Sequence, residues 1–186
     1  MIARDRLREP AAGDRWLVVV AHPDDEVFVC GSLIAHATDS GAAVTVVCAT
    51  RGELGECAFE LEPGQTVGSV REAELRVAVH ALGASVVLLD HLDSGFDGPV
   101  ADGSLCGTSL DALADELGTY VDGLLPHVVV TLDGSDGHRD HRHLRDALVR
   151  AVSATAHGDC AMYECASPWS AWSAPHGSAR FGGRCH

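Results

Sequence analysis

The sequence predicts an α/β domain with a three-layer, Rossmann-like architecture, in which a mostly parallel sheet carries helices on both faces. Three observations lead to this prediction. Strand-like and helix-like segments alternate along the chain, the strand-like segments are continuous apolar runs, and no tight hairpin signal joins two of them. This pattern is typical of right-handed crossovers between buried parallel strands, and 186 residues suffice for one such domain.

Taken in order, the elements follow from apolar spacing. Apolar runs rich in β-branched residues predict strands over residues 16–21, 44–49, 85–89, 128–132 and 161–165. Between them, apolar residues recur every three or four positions and predict helices over residues 26–40, 70–82, 110–125 and 138–152. In the first helix we expect Phe28, Leu33, Ile34 and Ala37 to recur at helical spacing, and Pro126 ends the third helix.

The single domain is predicted to span residues 16–166. Residues 1–15 alternate Arg, Asp and Glu and contain no apolar h-region, so we expect a flexible arm and not a signal peptide. Residues 167–186 are rich in Pro, Gly and Ser, and we expect an irregular tail there.

The charge balance argues against two classes of partner. The formal net charge is −14, whereas nucleic acids and anionic membrane surfaces both require clustered Lys and Arg. The closest arginines, Arg139, Arg142 and Arg145, are predicted to form a solvated helix face. No apolar run approaches the length of a membrane span, so we expect no membrane partner.

The cysteines indicate a reducing compartment. Seven cysteines occur without a CxxC pair and without an export signal, which predicts free thiols and a cytoplasmic location. Cys30 and Cys48 lie in apolar runs and are expected to be small buried side chains.

A group of metal-binding and proton-transferring residues follows the first strand. His22 and Asp25 stand three apart in a turn and can meet one cation from the same side. Imidazole with carboxylate suits Zn²⁺ or a similar first-row ion, and Asp24 is then left to act as a general base. The alternative is an Asp-rich turn in which Asp24 or Asp25 caps the following helix.

A second group, His138-Arg139-Asp140-His141, follows the fourth strand and opens the last helix. His141 lies three residues before the inward-facing Leu144, so it belongs to the same face of the helix. In open parallel sheets, ligands bind beyond the carboxyl ends of the strands, where both groups lie. We expect Asp140 to orient a histidine and His138 to face substrate.

Nucleotide-binding and serine-hydrolase patterns are missing from the sequence. It contains neither GxGxxG nor GxxxxGK[ST], and the first strand–helix turn has no glycine before Gly31. Residues 134–137 do not complete a GxSxG elbow, because Asp133 occupies its first position.

With both groups placed, the chain resembles the PIG-L/LmbE-like de-N-acetylases, zinc-dependent enzymes that remove acetyl groups from N-acetylglucosaminyl compounds. Residues 21–26 resemble the AHPDDE signature of that family, and His138-x-Asp140-His141 resembles its HPDH motif, with Arg139 where Pro is common. Three further matches, to a TxGExG loop, an R-x-x-E-L…LG helix and a DSG loop, lie at residues 50–55, 71–83 and 93–95. The five motifs occur in the order of the family.

The resemblance implies a metal-dependent hydrolase that removes an acetyl or acyl group from an N-acetylglucosaminyl-type amino sugar or glycoconjugate. It implies that His22, Asp25 and His141 bind Zn²⁺, although the same ligands accept Fe²⁺ or Co²⁺. Asp24 would be the general base toward a metal-bound water. His138 would stabilise the oxyanion or protonate the leaving amine, with Asp140 supporting it.

The resemblance also implies a substrate-binding set and a small-molecule amino-sugar substrate. Arg71 and Asp93 would hold sugar hydroxyls, and Glu53 would lie near the pocket. Asp136 stands where some sugar-thiol members of the family carry Tyr.

A departure from the family at the C-terminal end keeps alternatives open. Family members usually continue past the second motif into a C-terminal lobe that helps to enclose the substrate, whereas here an irregular tail is expected. A shortened pocket is compatible with a large substrate, an obligate homo-oligomer or a degenerate enzyme. The rival functions are an amidase acting on another small amide conjugate and a non-catalytic metal- or sugar-binding module, although binding alone requires neither Asp24 nor His138.

Overall fold

The five predicted strands form one sheet in the computed structural model, which describes residues 7–57, 60–155 and 160–166. In chain order the strands are β1 Arg15–Val20, β2 Ala43–Thr50, β3 Ser85–His91, β4 Val128–Leu132 and β5 Ala161–Cys165. The sheet order is β3-β2-β1-β4-β5, and all four pairings are parallel. β1, the most central strand, is buried along five of its six residues, as its continuous apolar sequence predicts.

Helices cover both faces of this sheet. They are α1 Asp25–Phe28, α2 Gly31–Asp39, α3 Val67–Ala81, α4 Leu110–Leu124 and α5 Arg139–Ala154, with a 3₁₀ turn at Leu105–Gly107. Alternate residues of β1 point to opposite faces: Leu17 and Val19 join the core under α4 and α5, and Val18 joins the core under α2 and α3. The three-layer α/β fold predicted from the sequence is therefore confirmed.

The first predicted helix is wrong in one respect, because the segment is two helices. α1 ends at Phe28, α2 begins at Gly31, and Phe28 is 66% exposed where we had grouped it with the apolar residues of one helix. At about 100° per residue, Phe28 lies about 120° from Ile34 and about 180° from Ala37, so even a single helix from Glu26 would turn it away from that stripe. In the structure Phe28, at the end of α1, points outward, while Ile34 of α2 is fully buried.

The chain between residues 7 and 15 is held against the domain where we expected a flexible arm. Asp14 is buried, and its carboxylate accepts hydrogen bonds from the Arg8 guanidinium at 2.7 Å and from the Ala11 amide at 3.0 Å. The Arg8 amide also donates to the Tyr163 hydroxyl on β5 at 3.0 Å. The predicted tail at 167–186 lies outside the described residues. Among the described helices, none is both long and apolar enough to cross a bilayer.

The topology reverses beside β1, and this fixes where a ligand can bind. The chain runs outward from β1 to β3 on one side and then returns to place β4 on the other side of β1. The segments after β1 and β4 therefore leave neighbouring strand ends in opposite directions, and a crevice opens between them. His22 follows β1, and the second histidine group follows β4.

Candidate metal centre

Three donor atoms converge in the crevice between β1 and β4. His22 Nδ1 lies 3.5 Å from Asp25 Oδ2 and 3.3 Å from His141 Nε2. His141 Nε2 lies 3.3 Å from the same Asp25 oxygen. All three side chains are at most one-tenth exposed. The residues predicted as ligands from two distant motifs thus form one triangle.

The size of this triangle fits a first-row cation. Zinc bonds of about 2.0–2.2 Å in a tetrahedron place neighbouring donor atoms about 3.3–3.6 Å apart. Two other sets of donors lie within 4.8 Å of each other: His22 with His138 and His141, and His22 with Asp93 and Asp140. We favour the triangle that contains Asp25, because its edges match the tetrahedron and because Asp140 and Asp93 meet the opposite nitrogen of His22.

Carboxylates hold both histidines from behind. Asp140 Oδ2 lies 3.1 Å from His22 Nε2, and Asp93 Oδ1 lies 3.5 Å from the same atom. Asp136 Oδ2 lies 2.7 Å from His141 Nδ1. Such contacts fix the ring orientation and the tautomer of a metal-binding histidine. The sequence indicated Asp140 as an orienting residue but not Asp136, whose position five residues before His141 follows no regular helical spacing.

The site is arranged to hold positive charge. Burial lowers the pKa of His22, but its hydrogen bonds with Asp140, Asp25 and Asp93 outweigh burial and hold that pKa well above its usual value. Burial would raise the pKa of Asp25, yet hydrogen bonds with His141 and His22 hold it well below its usual range. The same carboxylates that favour positive charge on these histidines would favour a divalent cation between them.

Asp24 stands in a constrained turn beside the triangle. Its φ is +96°, a backbone conformation that residues other than glycine rarely adopt. Its amide donates to Glu26 Oε2 at 2.9 Å, and its carboxylate accepts from Arg71 Nη2 at 2.8 Å. Asp24 occupies the N-cap position of α1, as the alternative reading of this turn predicted, but its side chain makes no capping hydrogen bond. Its carboxylate is therefore not used as a helix cap.

Two residues hold this turn. Glu26 is 1% exposed, and burial raises the pKa of its carboxyl to about 7. The Arg71 guanidinium donates to the carbonyls of Gly52 at 2.8 Å and Pro23 at 2.6 Å, as well as to Asp24. The resemblance implied that Arg71 holds a sugar hydroxyl. Its donors join the turn after β1 to the loop after β2, and the side chain also lines the cleft, so contact with a sugar hydroxyl stays a prediction.

His138 lies at the edge of the triangle, stacked on His141 with ring centroids 4.8 Å apart. Its Nδ1 accepts the Asp140 amide at 3.2 Å, which leaves the ring proton on Nε2 when the ring is neutral. Burial and the charges of His22 and His141 lower its pKa to about 4. The expected support from the Asp140 side chain is not observed, since that carboxylate contacts His22, the Ser94 amide and Cys106 Sγ.

The predicted substrate residues Asp93 and Glu53 connect two loops. The Asp93 amide donates to Glu53 Oε2 at 3.1 Å, and Asp93 Oδ1 accepts the Gly95 amide at 2.7 Å. The loop after β2 is thereby tied to the loop after β3. Asp93 faces His22 and lines the pocket, whereas Glu53 is not part of the lining.

Arg139 is not the solvated residue that the sequence suggested. Its guanidinium donates to the carbonyls of Ser94, Gly95, Asp97 and Gly98, the last three at 2.7–2.8 Å. The segment 94–98, which carries Phe96 at the mouth of the pocket, is thus wrapped around one side chain. The sequence did mark this position as unusual, because Arg139 stands where Pro is common in the second motif. Its hydrogen-bond partners are visible only in the fold.

A cleft of about 400 Å³ leads to the triangle. Its floor carries His22, Asp25 and His141, and its walls include Asp24 and His138. The apolar side chains at its mouth are largely exposed: Phe28 at 66%, Leu54 at 67% and Phe96 at 64%. A polar floor with apolar walls is typical of small-molecule sites.

The fold and the site together define an α/β protein with a candidate metal centre at the reversal of its parallel sheet, a class that includes metal-dependent hydrolases. The sequence profile described as GlcNAc-PI de-N-acetylase, or PIG-L, matches residues 17–152. The chain belongs to the PIG-L family, as its motifs predicted.

Among curated relatives, the chain is 36% identical over 165 residues to a 1D-myo-inositol 2-acetamido-2-deoxy-α-D-glucopyranoside deacetylase of Actinosynnema mirum. This match covers 78% of the chain but 57% of that relative, so the chain spans little more than half of its length.

Two solved structures share the fold. A deacetylase of the A40926 pseudoaglycone is 23% identical, with a TM-score of 0.66, covering 90% of this chain and 70% of that one. The 4-carboxy-2-hydroxymuconate hydratase of Pseudomonas putida is 30% identical, with a TM-score of 0.60, covering 78% and 58% respectively. The fold therefore occurs with more than one named reaction.

Proposed function

We propose that the chain is a zinc-dependent N-deacetylase that acts on an N-acetylglucosaminyl-type amino sugar or glycoconjugate. The observation that carries the proposal is the triangle of His22 Nδ1, Asp25 Oδ2 and His141 Nε2, with Asp24 in the wall of the same cleft. The deacetylases among the relatives support the choice of reaction. The donor set accepts Fe²⁺ or Co²⁺ as well as Zn²⁺.

In this proposal the cation supplies Lewis-acid activation of water and of the amide carbonyl. Asp24 accepts the proton of the attacking water. Partial burial and the neighbouring charge of Asp25 raise the Asp24 pKa, which strengthens it as a base, while Arg71 opposes the shift and holds the carboxylate in place.

His138 is assigned to the oxyanion. Its lowered pKa keeps the ring neutral near pH 7, and a bound cation would take the place of the histidine charges that contribute to this shift. The proton on Nε2 then makes His138 a hydrogen-bond donor, so of its two implied roles we retain stabilisation of the oxyanion.

The remaining assignments concern substrate and surroundings. Asp93 is proposed to contact a hydroxyl of a small-molecule amino sugar, and Arg71, Glu53 and Asp140 to position the groups that react. We further propose a cytoplasmic protein, which its six described cysteines support because all of them are free thiols.

The test is metal content together with acetate release from a panel of N-acetylhexosaminides by the metal-loaded protein. We expect about one zinc ion per chain and release of acetate from at least one glycoside. Release only from other amide conjugates would favour the amidase, and bound metal without any release would favour the binding module. An unsaturated carboxylate belongs in the panel, because the similar hydratase shares the fold.

A further inference from the structure

A second cavity of about 660 Å³ adjoins the metal cleft, and the proposed function assigns no ligand to it. It lies between α1, α3 and the loop at residues 55–57. We call it the α1–α3 groove. Four residues line both the groove and the metal cleft: Asp24, Phe28, Gly55 and Arg71. A molecule bound in the cleft can therefore continue into the groove past the Asp24–Arg71 ion pair.

The walls of the groove are mainly apolar. One face of α3 contributes Val67, Val70 and Ala78 at helical spacing, and α1 contributes Val27 and Phe28 from the opposite side. Val27 is 42% exposed and Phe28 66%. An apolar helix stripe that faces a cavity, with large apolar side chains left uncovered, is a surface that gains free energy when an apolar group fills it.

The charged groups of the groove exclude one class of occupant. Four of its lining residues are acidic: Asp24, Glu26, Glu56 and Glu74. The one basic lining residue, Arg71, directs its guanidinium to two backbone carbonyls and to Asp24. A phosphate or carboxylate in the groove would meet like charges and would have to displace these contacts.

We infer that the α1–α3 groove binds an uncharged alkyl or aryl substituent on the acceptor side of the substrate. The inference rests on the proposed function in one respect. The acetyl group is small and stays at the metal, so the part of the substrate that reaches the groove is the part that carries the acetylated amine. The preferred substrates are then amino-sugar glycosides with an apolar aglycone, and phosphorylated sugars are poor substrates.

The kinetic test compares acetate release by zinc-loaded protein from methyl and hexyl N-acetyl-β-glucosaminides and from N-acetylglucosamine 1-phosphate. We expect kcat/KM for the hexyl glycoside to exceed that for the methyl glycoside by tenfold or more, through KM, and the phosphate to be the poorest substrate. A hexyl-to-methyl ratio near one would overturn the inference. A preference for longer N-acyl chains on methyl glycosides would also overturn it, because the groove would then hold the acyl side.

Two variants connect the preference to this groove. Ala78→Trp fills it and Val27→Asp places a charge in it, so each should return the ratio to near one and leave kcat/KM for the methyl glycoside unchanged. Ala73→Trp makes the same change on the exposed side of α3 and should keep the wild-type ratio. Wild-type ratios in folded Ala78→Trp and Val27→Asp proteins would contradict the inference.

A binding experiment separates this inference from the proposed function. Calorimetry of zinc-free protein with hexyl and methyl N-acetyl-β-glucosaminides requires no turnover. Tighter binding of the hexyl glycoside, lost in Val27→Asp, would support the groove even if no acetate is ever released. Equal binding of both glycosides would overturn it whether or not the protein is a deacetylase.

Discussion

Asp24 combines a positive φ with the position proposed for the base, so the choice of substitution matters. Asn has almost the same shape and tolerates φ above zero better than Ala does, which makes Asp24→Asn the cleaner removal of the carboxylate. We expect Asp24→Asn to bind metal as the wild type does and to lose about 10²–10⁴-fold in kcat. His22→Ala, measured beside it, should lose both metal and activity. Acetate release by Asp24→Asn at the wild-type rate would refute the base assignment.

The carboxylates behind the histidines lead to a second prediction. Asp140→Asn and Asp136→Asn should each weaken zinc binding by about 10–100-fold, because the rings lose the partners that orient them. The measurement is competition with a zinc-chelating dye. Asp133→Asn is a matched control, since Asp133 lies in the same turn but accepts hydrogen bonds from Ser135 and not from a histidine. Equal affinities in all three variants would show that these contacts do not tune the site.

At the residue scale, the sequence predicted the residues that lie at the ends of strands. It missed the residues that position them through hydrogen bonds. His22, Asp25 and His141 could be named because each has a fixed place relative to a strand or a helix face. Asp136, and the turn held by Arg71, could not, because their partners lie on other elements. The role of Arg139 changed for the same reason: its four acceptors are backbone carbonyls, which leave no trace in a sequence.

Among the elements, the segment 94–98 depends on one side chain from α5. Arg139→Ala removes its four carbonyl contacts, and hydrogen bonds from a charged group contribute about 1.5–3 kcal/mol each, so we expect a loss of stability of at least that size. Hydrogen exchange should show the segment opening more often. Arg139→Lys should not restore it, because an ammonium group lacks the planar fork of donors.

The control for this prediction is Arg142→Ala, on the exposed side of the same helix. It should leave both stability and hydrogen exchange of segment 94–98 near the wild type. If Arg139→Ala behaved as this control does, the guanidinium contacts would not hold the segment.

The elements themselves were largely readable from the sequence, since the strands and α3, α4 and α5 follow the predicted spacing closely. The break between α1 and α2 was not readable, because apolar residues continue across it. The outward position of Phe28 was readable, since about 100° per residue places it opposite Ala37 and about 120° from Ile34. α3 begins three residues earlier than predicted. Thr66 and Ser69 form a reciprocal capping box there, with hydrogen bonds of 3.1 and 2.9 Å.

For the whole molecule, the metal centre should be a measurable part of thermal stability. A ligand present at 100 times its dissociation constant stabilises the folded state by about 2.7 kcal/mol, and each kcal/mol shifts the Tm of a chain of this size by about 2–4 °C. We therefore expect zinc to raise the Tm of the chelator-treated protein by about 5–11 °C. A His22→Ala/His141→Ala double variant should show no shift, and an equal shift in that variant would place the stabilising ion elsewhere.

The reversal of the chain beside β1 also has a kinetic consequence. His22 and His141 stand 119 positions apart, so their donor atoms meet only after β1 and β4 have paired. A contact that forms this late contributes little to the folding transition state, and its gain appears in the unfolding rate. Zinc should therefore slow unfolding in denaturant jumps and leave the refolding rate unchanged. The lifetime of the folded chain, and not only its activity, would then follow the supply of the metal.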